Sequence, residues 1–164
     1  MTVEKTQTQV KGADFESADR EALSALAFRT RAAVLWIALA VALASAFLLG
    51  VFEPGAIEEM LGGELEGEPL TEALGFFMAM LVILPLGMAA VSLLIGDRVN
   101  RYVNLIVGLG YTLFGCFMAI SDIAGGHFNG HVLMVVVACV LGFLIVGLGL
   151  IGIRQPSEHH SPST

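Results

Sequence analysis

Charged side chains are absent from four long stretches of this sequence. Each stretch has 19–23 residues and contains no Asp, Glu, Lys, Arg or His; the four cover residues 32–52, 73–95, 102–120 and 132–153. A helix rises about 1.5 Å per residue, so about 20 residues cross the ~30 Å hydrocarbon core of a bilayer. The chain is also 56% hydrophobic, above the ~45–50% typical of soluble domains. The sequence therefore predicts an all-α fold, a transmembrane four-helix bundle over residues 32–153.

Basic residues are few, and all of them lie on one side of this predicted threading. The chain has eight Lys and Arg against 15 Asp and Glu, and its net charge of −7 offers no basic surface for nucleic acid. The loops after the first and third spans, residues 53–72 and 121–131, contain neither Lys nor Arg. Because positive charge favours the cytoplasmic side, both termini are predicted to be cytoplasmic. The arginines interpreted as topology signals are Arg29, Arg31, Arg98, Arg101 and Arg154.

Motifs for catalysis, cofactors and metals are also missing. The chain has no glycine-rich phosphate loop, no nucleophile elbow and no Cys-x-x-Cys pair, and no ionisable residue lies deep in a span. We therefore predict no cofactor and no metal site, and nothing nominates an enzyme. The seven glutamates of residues 53–72 lack the spacing of a calcium loop and are interpreted as solvated. Asp122, His127 and His131 are zinc-ligand types, but no fourth ligand accompanies them.

Asn104 and Pro85 interrupt otherwise apolar spans and are candidate ligand-binding residues. The amide of Asn104 either bonds a neighbouring helix, as buried amides in membranes do, or contacts a ligand. Pro85 removes one helix hydrogen bond and kinks the second span, either as a plain bend or as part of a substrate site. The short turn at residues 96–101 predicts that the second and third spans are antiparallel neighbours. Asn100 is expected to cap the third helix.

The two cysteines, Cys116 and Cys139, occupy similar depths on successive antiparallel spans. Counted at ~1.5 Å per residue, each lies about 10 Å below the side of the membrane that carries Asp122. They are interpreted either as small apolar side chains or as thiols close to each other and to a bound ligand.

Small residues recur every four positions along the first span, at Ala38, Ala42, Ala46 and Gly50. This spacing lets a second helix approach closely. It predicts tight packing within the bundle and leaves a homodimer open.

Outside the spans, short helices and disordered tails are predicted. Residues 1–13 and 154–164 are expected to be disordered. Residues 14–31 are expected to form an amphipathic helix along the cytoplasmic membrane surface. Pro54 to Gly62 predicts a short surface helix, and Thr71 is expected to cap the second span.

Short sequences in three spans carry a resemblance to known proteins. They are VLWIAL (34–39), LVILPLGMAAVSLL (81–94) and NRYVNLIVG (100–108), together with Pro54. Over about residues 30–153 the chain resembles the small bacterial four-helix membrane proteins called DoxX-like, and more closely a related family of unknown function. The resemblance implies a helical bundle in the bacterial inner membrane, and it implies no reaction.

The leading interpretation is a non-enzymatic integral membrane protein of the bacterial inner membrane. Its expected partners are membrane lipid, a second copy of itself or another membrane protein. Two alternatives stay open. One is a carrier or channel for a small uncharged solute, centred on Pro85 and Asn104. The other is an accessory to quinone-linked redox chemistry, with Cys116, Cys139 and Asn104 near the ligand.

Overall fold

The computed structural model describes residues 2–65, 68–126 and 129–154 of the 164-residue chain. Its elements, in chain order, are α1 (Thr2–Val51), α2 (Ala56–Gly62), β1 (Glu64–Leu65), β2 (Glu68–Pro69), α3 (Glu72–Leu94), α4 (Asp97–Ala124) and α5 (Gly130–Arg154). β1 and β2 form a two-residue antiparallel pair in the loop before α3. The predicted helical fold is confirmed.

Four helical segments are long and apolar enough to cross a membrane: Ala22–Val51, Glu72–Leu94, Asp97–Ala124 and Gly130–Ile153. Large apolar side chains point outward from all four, and Leu113 of α4, for example, is 63% exposed. A soluble monomer seldom exposes so much contiguous apolar surface, whereas lipid tails are as apolar as leucine. The chain is therefore a multi-pass membrane protein.

α1 packs along both α3 and α5 and makes few contacts with α4. α4 packs along α5, but it makes few contacts with α3. The predicted pairing of the second and third spans thus holds mainly near the turn that joins α3 to α4, and long side chains bridge the two helices elsewhere. The main core contains Trp36, Leu39 and Ile145, each at most 1% exposed.

Glycines allow α4 and α5 to approach each other closely. A Cβ atom on Gly142 would lie 2.5 Å from the Thr112 hydroxyl oxygen and 3.3 Å from the Thr112 Cα. A Cβ atom on Gly108 would lie 2.8 Å from the Ile145 Cγ2. On α1, Ala42 and Ala46 of the predicted small-residue stripe are buried inside the chain itself.

The turn between α3 and α4 is shorter than the sequence suggests. α3 ends at Leu94, α4 begins at Asp97, and Gly96 occupies the N-cap position. The prediction that Asn100 caps this helix is wrong, because Asn100 lies within α4 and is completely buried. Its amide bonds other buried groups instead, so the polar character of residues 97–104 marks a buried cluster as well as a turn.

α1 differs from the predicted division of the N-terminal segment. We expected a disordered stretch at residues 1–13 and a separate helix at 14–31, but the structure has one helix from Thr2 to Val51. The sequence contains no proline before Pro54, and Ala, Glu, Lys, Gln and Leu are good helix formers, so nothing local ends the helix. The predicted disordered tail beyond Arg154 lies outside the described residues.

Two local predictions at the other end of the bundle hold, except that α2 begins at Ala56, so Pro54 lies before the helix instead of inside it. The Thr71 hydroxyl oxygen accepts a hydrogen bond from the Leu74 backbone N–H at 3.2 Å and caps α3. The surface helix α2 stops at Gly62, and Gly63 follows with a φ of 83°, a left-handed conformation that favours glycine.

The two ends of the bundle differ in charge. The end at which α4 begins and α5 finishes is called the basic end here; it carries Arg29, Arg31, Arg98, Arg101 and Arg154. The opposite end, which contains residues 53–72 and 121–131, has neither Lys nor Arg in its sequence and is called the acidic end.

Candidate functional site

A buried polar cluster lies in the half of the bundle nearer the basic end, with Asn104 at its centre. Trp36 of α1 donates its indole N–H to the Asn104 Oδ1, and Ser92 of α3 donates its hydroxyl to the same oxygen at 3.3 Å. The Asn104 amide nitrogen donates to the backbone oxygen of Asn100 at 2.7 Å. Asn100 in turn donates to the Ser92 backbone oxygen at 2.8 Å. The cluster consists of Trp36, Ser92, Asn100 and Asn104, and it ties three helices together.

The hydrogen-bonding capacity of Asn104 is filled within the protein. An indole N–H can only donate, which fixes the amide oxygen of Asn104 toward Trp36. That oxygen accepts two hydrogen bonds, and the amide nitrogen donates two, to the backbone and side-chain oxygens of Asn100. Asn104 is 1% exposed. The interhelical role expected of Asn104 is thus present, and no polar atom of its amide is free for a ligand.

Pro85 is paired with a tyrosine that the sequence did not single out. Proline lacks an N–H, so the carbonyl oxygen four residues earlier, on Leu81, loses its helix hydrogen bond. The hydroxyl of Tyr111 on α4 donates to this Leu81 oxygen at 3.2 Å. In lipid an unpaired backbone oxygen is costly, and a side chain from a neighbouring helix can satisfy it. Tyr111 also meets Trp36 edge to face, with ring centroids 5.8 Å apart.

An apolar cavity of about 280 Å³ lies between α3 and α4, in the half of the bundle nearer the acidic end. α1 and α5 form its other walls, and the rings of Phe77 and Phe114 meet edge to face across it at 6.0 Å. The lining residues are Leu39, Leu43, Ala46, Phe47, Leu74, Phe77, Met78, Leu81, Tyr111, Phe114, Gly115, Met118, His131, Val135 and Ala138. The space exists because α3 packs on α1 and stays apart from α4.

Of the residues that line the cavity, His131 is the one with an imidazole, carboxylate, amine or guanidinium group. Its Nδ1 is 3.0 Å from the Ala46 backbone oxygen, and its Nε2 is 3.9 Å from the Asp122 Oδ2. That carboxylate oxygen is buried and has no hydrogen-bond partner in the described part of the chain. The N-terminal turn of α5 is held by Asn129, whose side chain accepts from the Val132 N–H and donates to Glu53 at 2.6 Å.

The two cysteines come together behind the wall of this cavity. Both are free thiols, and Cys116 and Cys139 pack in the same apolar cluster. Cys139 packs against Gly115, where its sulfur lies 3.0 Å from the position of a Cβ atom. Gly115 lines the cavity, but neither cysteine does. A ligand-binding role for either thiol stays a prediction.

The five arginines differ in their surroundings. Arg29 on α1 forms an ion pair with Asp97 in the first turn of α4, at 2.6 Å. Arg101 donates to the Gly152 backbone oxygen near the end of α5, and its guanidinium lies 5.5 Å from the centre of the Phe28 ring. The side chains of Arg31 and Arg98 are exposed. Arg154 is the last residue of α5. As topology signals all five stay predictions, but Arg101 also joins α1, α4 and α5.

The zinc-ligand types noted in the sequence, Asp122, His127 and His131, gain no further ligand in the described part of the chain. His127 lies outside the described residues. Among the residues that the structure covers, no group of three His, Cys, Asp or Glu side chains is placed to hold a metal ion.

Sequence reasoning missed Trp36, Ser92 and Tyr111 as members of these interactions. One signal in the sequence could have identified Tyr111. A proline in a span leaves a carbonyl oxygen free, and a hydroxyl on another span can donate a hydrogen bond to it. The partners of Asn104 had no comparable signal, because any donor on a neighbouring helix satisfies an amide oxygen equally well.

Comparison with known proteins gives one match. Residues 27–155 are similar to the model of DUF6326, a family of unknown function. This stretch contains all four membrane spans except the first turn or two of the segment starting at Ala22. No curated protein and no solved structure matches the chain at a significant level. The resemblance to DoxX-like proteins stays a prediction.

Proposed function

Because the chain belongs to DUF6326, a family of unknown function, we propose its function from its geometry: it is an integral membrane protein that binds a hydrophobic molecule, taken from the surrounding lipid, in the cavity between α3 and α4. The observation that carries this proposal is the cavity itself, about 280 Å³ and lined almost wholly by apolar side chains. An association with lipid was expected from the sequence, and the proposal assigns this association to the cavity between α3 and α4.

The size and lining of the cavity suit an apolar ligand. An engineered apolar cavity of about 150 Å³ stays dry and binds benzene, and this cavity is roughly twice as large. Phe77, Met78, Phe114 and Met118 offer ring and sulfur surfaces that adapt to a flat or flexible hydrocarbon. Because α3 and α4 make few backbone contacts, a ligand from the membrane would enter between them, past the rings of Phe77 and Phe114.

Binding fits this arrangement better than passage through the bundle. The half nearer the basic end is filled by Trp36, Ser92, Asn100 and Asn104, each at most 1% exposed and joined by hydrogen bonds. A carrier or channel would have to open this cluster, at the cost of several buried hydrogen bonds. The redox alternative is also less favoured, because a ligand would touch Gly115 and Ala138 rather than the sulfur atoms behind them.

We further propose that the protein resides in a bacterial inner membrane with both termini in the cytoplasm. The support is the placement of all eight Lys and Arg on one side of the four-span threading. In this orientation the cavity opens toward the outer leaflet. A homodimer or another membrane protein is also proposed as a partner; the buried positions of Ala42 and Ala46 mean that any such contact uses another surface.

Native mass spectrometry of the full chain released from mild detergent tests the proposal. The expected result is a stoichiometric hydrophobic molecule bound to the wild-type protein. Ala138→Phe puts a ring into the cavity and should release this molecule. Val137→Phe adds the same ring to the neighbouring residue of α5, which is 38% exposed, does not line the cavity, and should keep the molecule bound. Equal retention by both variants, or a wild-type protein with no bound molecule, would contradict the proposal.

A further inference from the structure

The lining of the cavity includes His131, whose imidazole faces the carboxylate of Asp122, a residue outside the lining. The backbone oxygen of Ala46 can only accept a hydrogen bond, so the His131 Nδ1 at 3.0 Å from it must carry a hydrogen. In the neutral imidazole the other nitrogen, Nε2, is then an acceptor. It faces the Asp122 Oδ2, which is also an acceptor when ionised. Two acceptors facing each other require a hydrogen between them.

The distance between these two atoms suits two hydrogen bonds to a shared third atom better than one direct bond. At 3.9 Å they are too far apart for a direct hydrogen bond. An oxygen atom placed beside their midpoint can lie about 2.8 Å from each, the usual length of an O–H···O hydrogen bond. The buried Asp122 oxygen has no partner in the part of the chain that the structure describes. This atom is therefore an open position for a donor.

No basic side chain of the same end competes for Asp122. Residues 53–72 and 121–131 contain neither Lys nor Arg, and the nearby carboxylate of Glu53 is bonded by Asn129. Among the described residues, His131 is thus the basic side chain that faces the Asp122 carboxylate.

We propose that the bound hydrophobic molecule carries a hydroxyl group, as an alcohol or a phenol, and that this hydroxyl is bound between Asp122 and His131. The hydroxyl donates to the Asp122 Oδ2, and its oxygen accepts from the His131 Nε2 when that nitrogen also carries a hydrogen. The inference rests on the proposed function, because it assigns the polar end of the molecule that the cavity holds.

Other ligand groups match this pair less well. A carbonyl group can only accept, so it would leave Asp122 unpaired. A hydrocarbon would leave both residues unpaired, and burying a polar group without a partner is unfavourable. An ammonium group could donate to both residues, but the cost of desolvating it beside an apolar lining offsets the gain from pairing with the Asp122 carboxylate. A hydroxyl donates to Asp122, accepts from His131 when both imidazole nitrogens carry a hydrogen, and is itself neutral.

The single tryptophan of the chain provides a readout for this inference. Trp36 is completely buried and touches Tyr111 edge to face, and Tyr111 lines the cavity. Bromine quenches tryptophan fluorescence at short range, so a brominated probe in the cavity should quench Trp36. The probes are 4-bromophenol and bromobenzene, which differ by one hydroxyl group. They are titrated into the full chain in lipid nanodiscs, and each is corrected for its partitioning into empty nanodiscs.

We expect 4-bromophenol to bind the wild-type protein about tenfold or more tightly than bromobenzene. A hydrogen bond to a charged group contributes enough free energy for a difference in affinity of this size. Asp122→Leu should remove this preference and leave the binding of bromobenzene unchanged, which also reports that the cavity has folded. His131→Gln keeps a donor for the Ala46 oxygen and should also reduce the preference. Glu58→Gln is the matched control, because it removes an exposed carboxylate of α2 from the same end and should keep the preference.

The outcomes separate the two proposals. Saturable quenching by both probes with equal affinity would overturn the hydroxyl site and leave the cavity as a binding site. A preference for 4-bromophenol that persists in Asp122→Leu would also overturn it, because the hydroxyl would then bind elsewhere. If neither probe quenches Trp36 saturably, the proposed function fails, and this inference fails with it.

Discussion

The hydroxyl group of Tyr111 donates a hydrogen bond to the carbonyl oxygen of Leu81 across the gap between α4 and α3, at 3.2 Å. Leu81 lies four residues before Pro85, so this is the oxygen that proline leaves without a helix partner. This one hydrogen bond thus satisfies the oxygen that Pro85 leaves free in α3, and it links α3 to α4. It lies at the edge of the cavity, which both Leu81 and Tyr111 line.

Removing the Tyr111 hydroxyl should destabilise the protein only while Pro85 is present. Tyr111→Phe should lower the free energy of unfolding by roughly 1 kcal/mol, in the range measured for hydrogen bonds between membrane helices. In a Pro85→Ala background the Leu81 oxygen regains a helix N–H, so the same change should cost much less. Reversible unfolding in mixed SDS micelles measures all four proteins of this double-mutant cycle. An equal cost in both backgrounds would show that the hydroxyl does not serve the proline break.

Asn104→Leu should be strongly destabilising, because it leaves the Trp36 N–H and the Ser92 hydroxyl without their shared acceptor. We expect a loss of about 2 kcal/mol or more, the cost of buried donors left unpaired. Thr112→Val is the matched control on the same helix. The Thr112 hydroxyl bonds the Gly108 oxygen of its own helix at 2.8 Å, so its removal breaks no bond between helices and should cost less than Asn104→Leu. Similar losses for both variants, measured by the same unfolding assay, would refute an interhelical role for the cluster.

Gly142→Ala should separate α4 from α5. Its new methyl group would lie 2.5 Å from the Thr112 hydroxyl oxygen and 3.3 Å from the Thr112 backbone, which must shift. Overpacking of this kind typically costs about 1–3 kcal/mol. Gly147→Ala on the same helix meets no atom within 4 Å, so it should be neutral or stabilising by up to about 1 kcal/mol. Thermal unfolding of the two variants tests the contact, and a stable Gly142→Ala protein would count against the close approach.

Arg101 and Arg98 should respond differently to the same change. Arg101→Gln loses the bond to the Gly152 oxygen and the contact with Phe28, and it should lower the free energy of unfolding by about 1–2 kcal/mol. Arg98→Gln removes the same charge from an exposed position and should change it by less than about 0.5 kcal/mol. The free energy of unfolding is measured for both variants. Tags at both termini report the membrane topology of each variant separately. If the two variants have equal stability, Arg101 serves only as a charge on this side of the membrane.

The four spans could be predicted from the sequence because a bilayer imposes a strong condition on composition over about 20 residues. The boundaries were less certain. α4 includes Asp97, Arg98, Asn100 and Arg101, which looked like a turn because they are polar. Charge at a helix end is compatible with either a loop or a first helical turn, and only the packing of Asn100 and Arg101 against other helices decides between them.

The candidate site was predictable only in part. Asn104 and Pro85 stood out because each breaks a rule of membrane helices, but Trp36 lies 68 positions from Asn104, and Tyr111 lies 26 positions from Pro85. The cavity could not be predicted, because it results from α3 packing on α1 instead of α4. That choice depends on the fit of many apolar surfaces, which hydropathy does not record. Asp122, His127 and His131 were noticed as zinc-ligand types, whereas the structure places His131 in the lining of an apolar space with Asp122 beside it.

The most direct test of the central claim is an experimental structure of the full chain purified in native lipid, at a resolution that shows bound molecules. The account predicts elongated non-protein density in the cavity between α3 and α4, with Phe77 and Phe114 beside it and one end near His131. A structure in which α3 closes against α4 and fills this space with its own side chains would contradict the account.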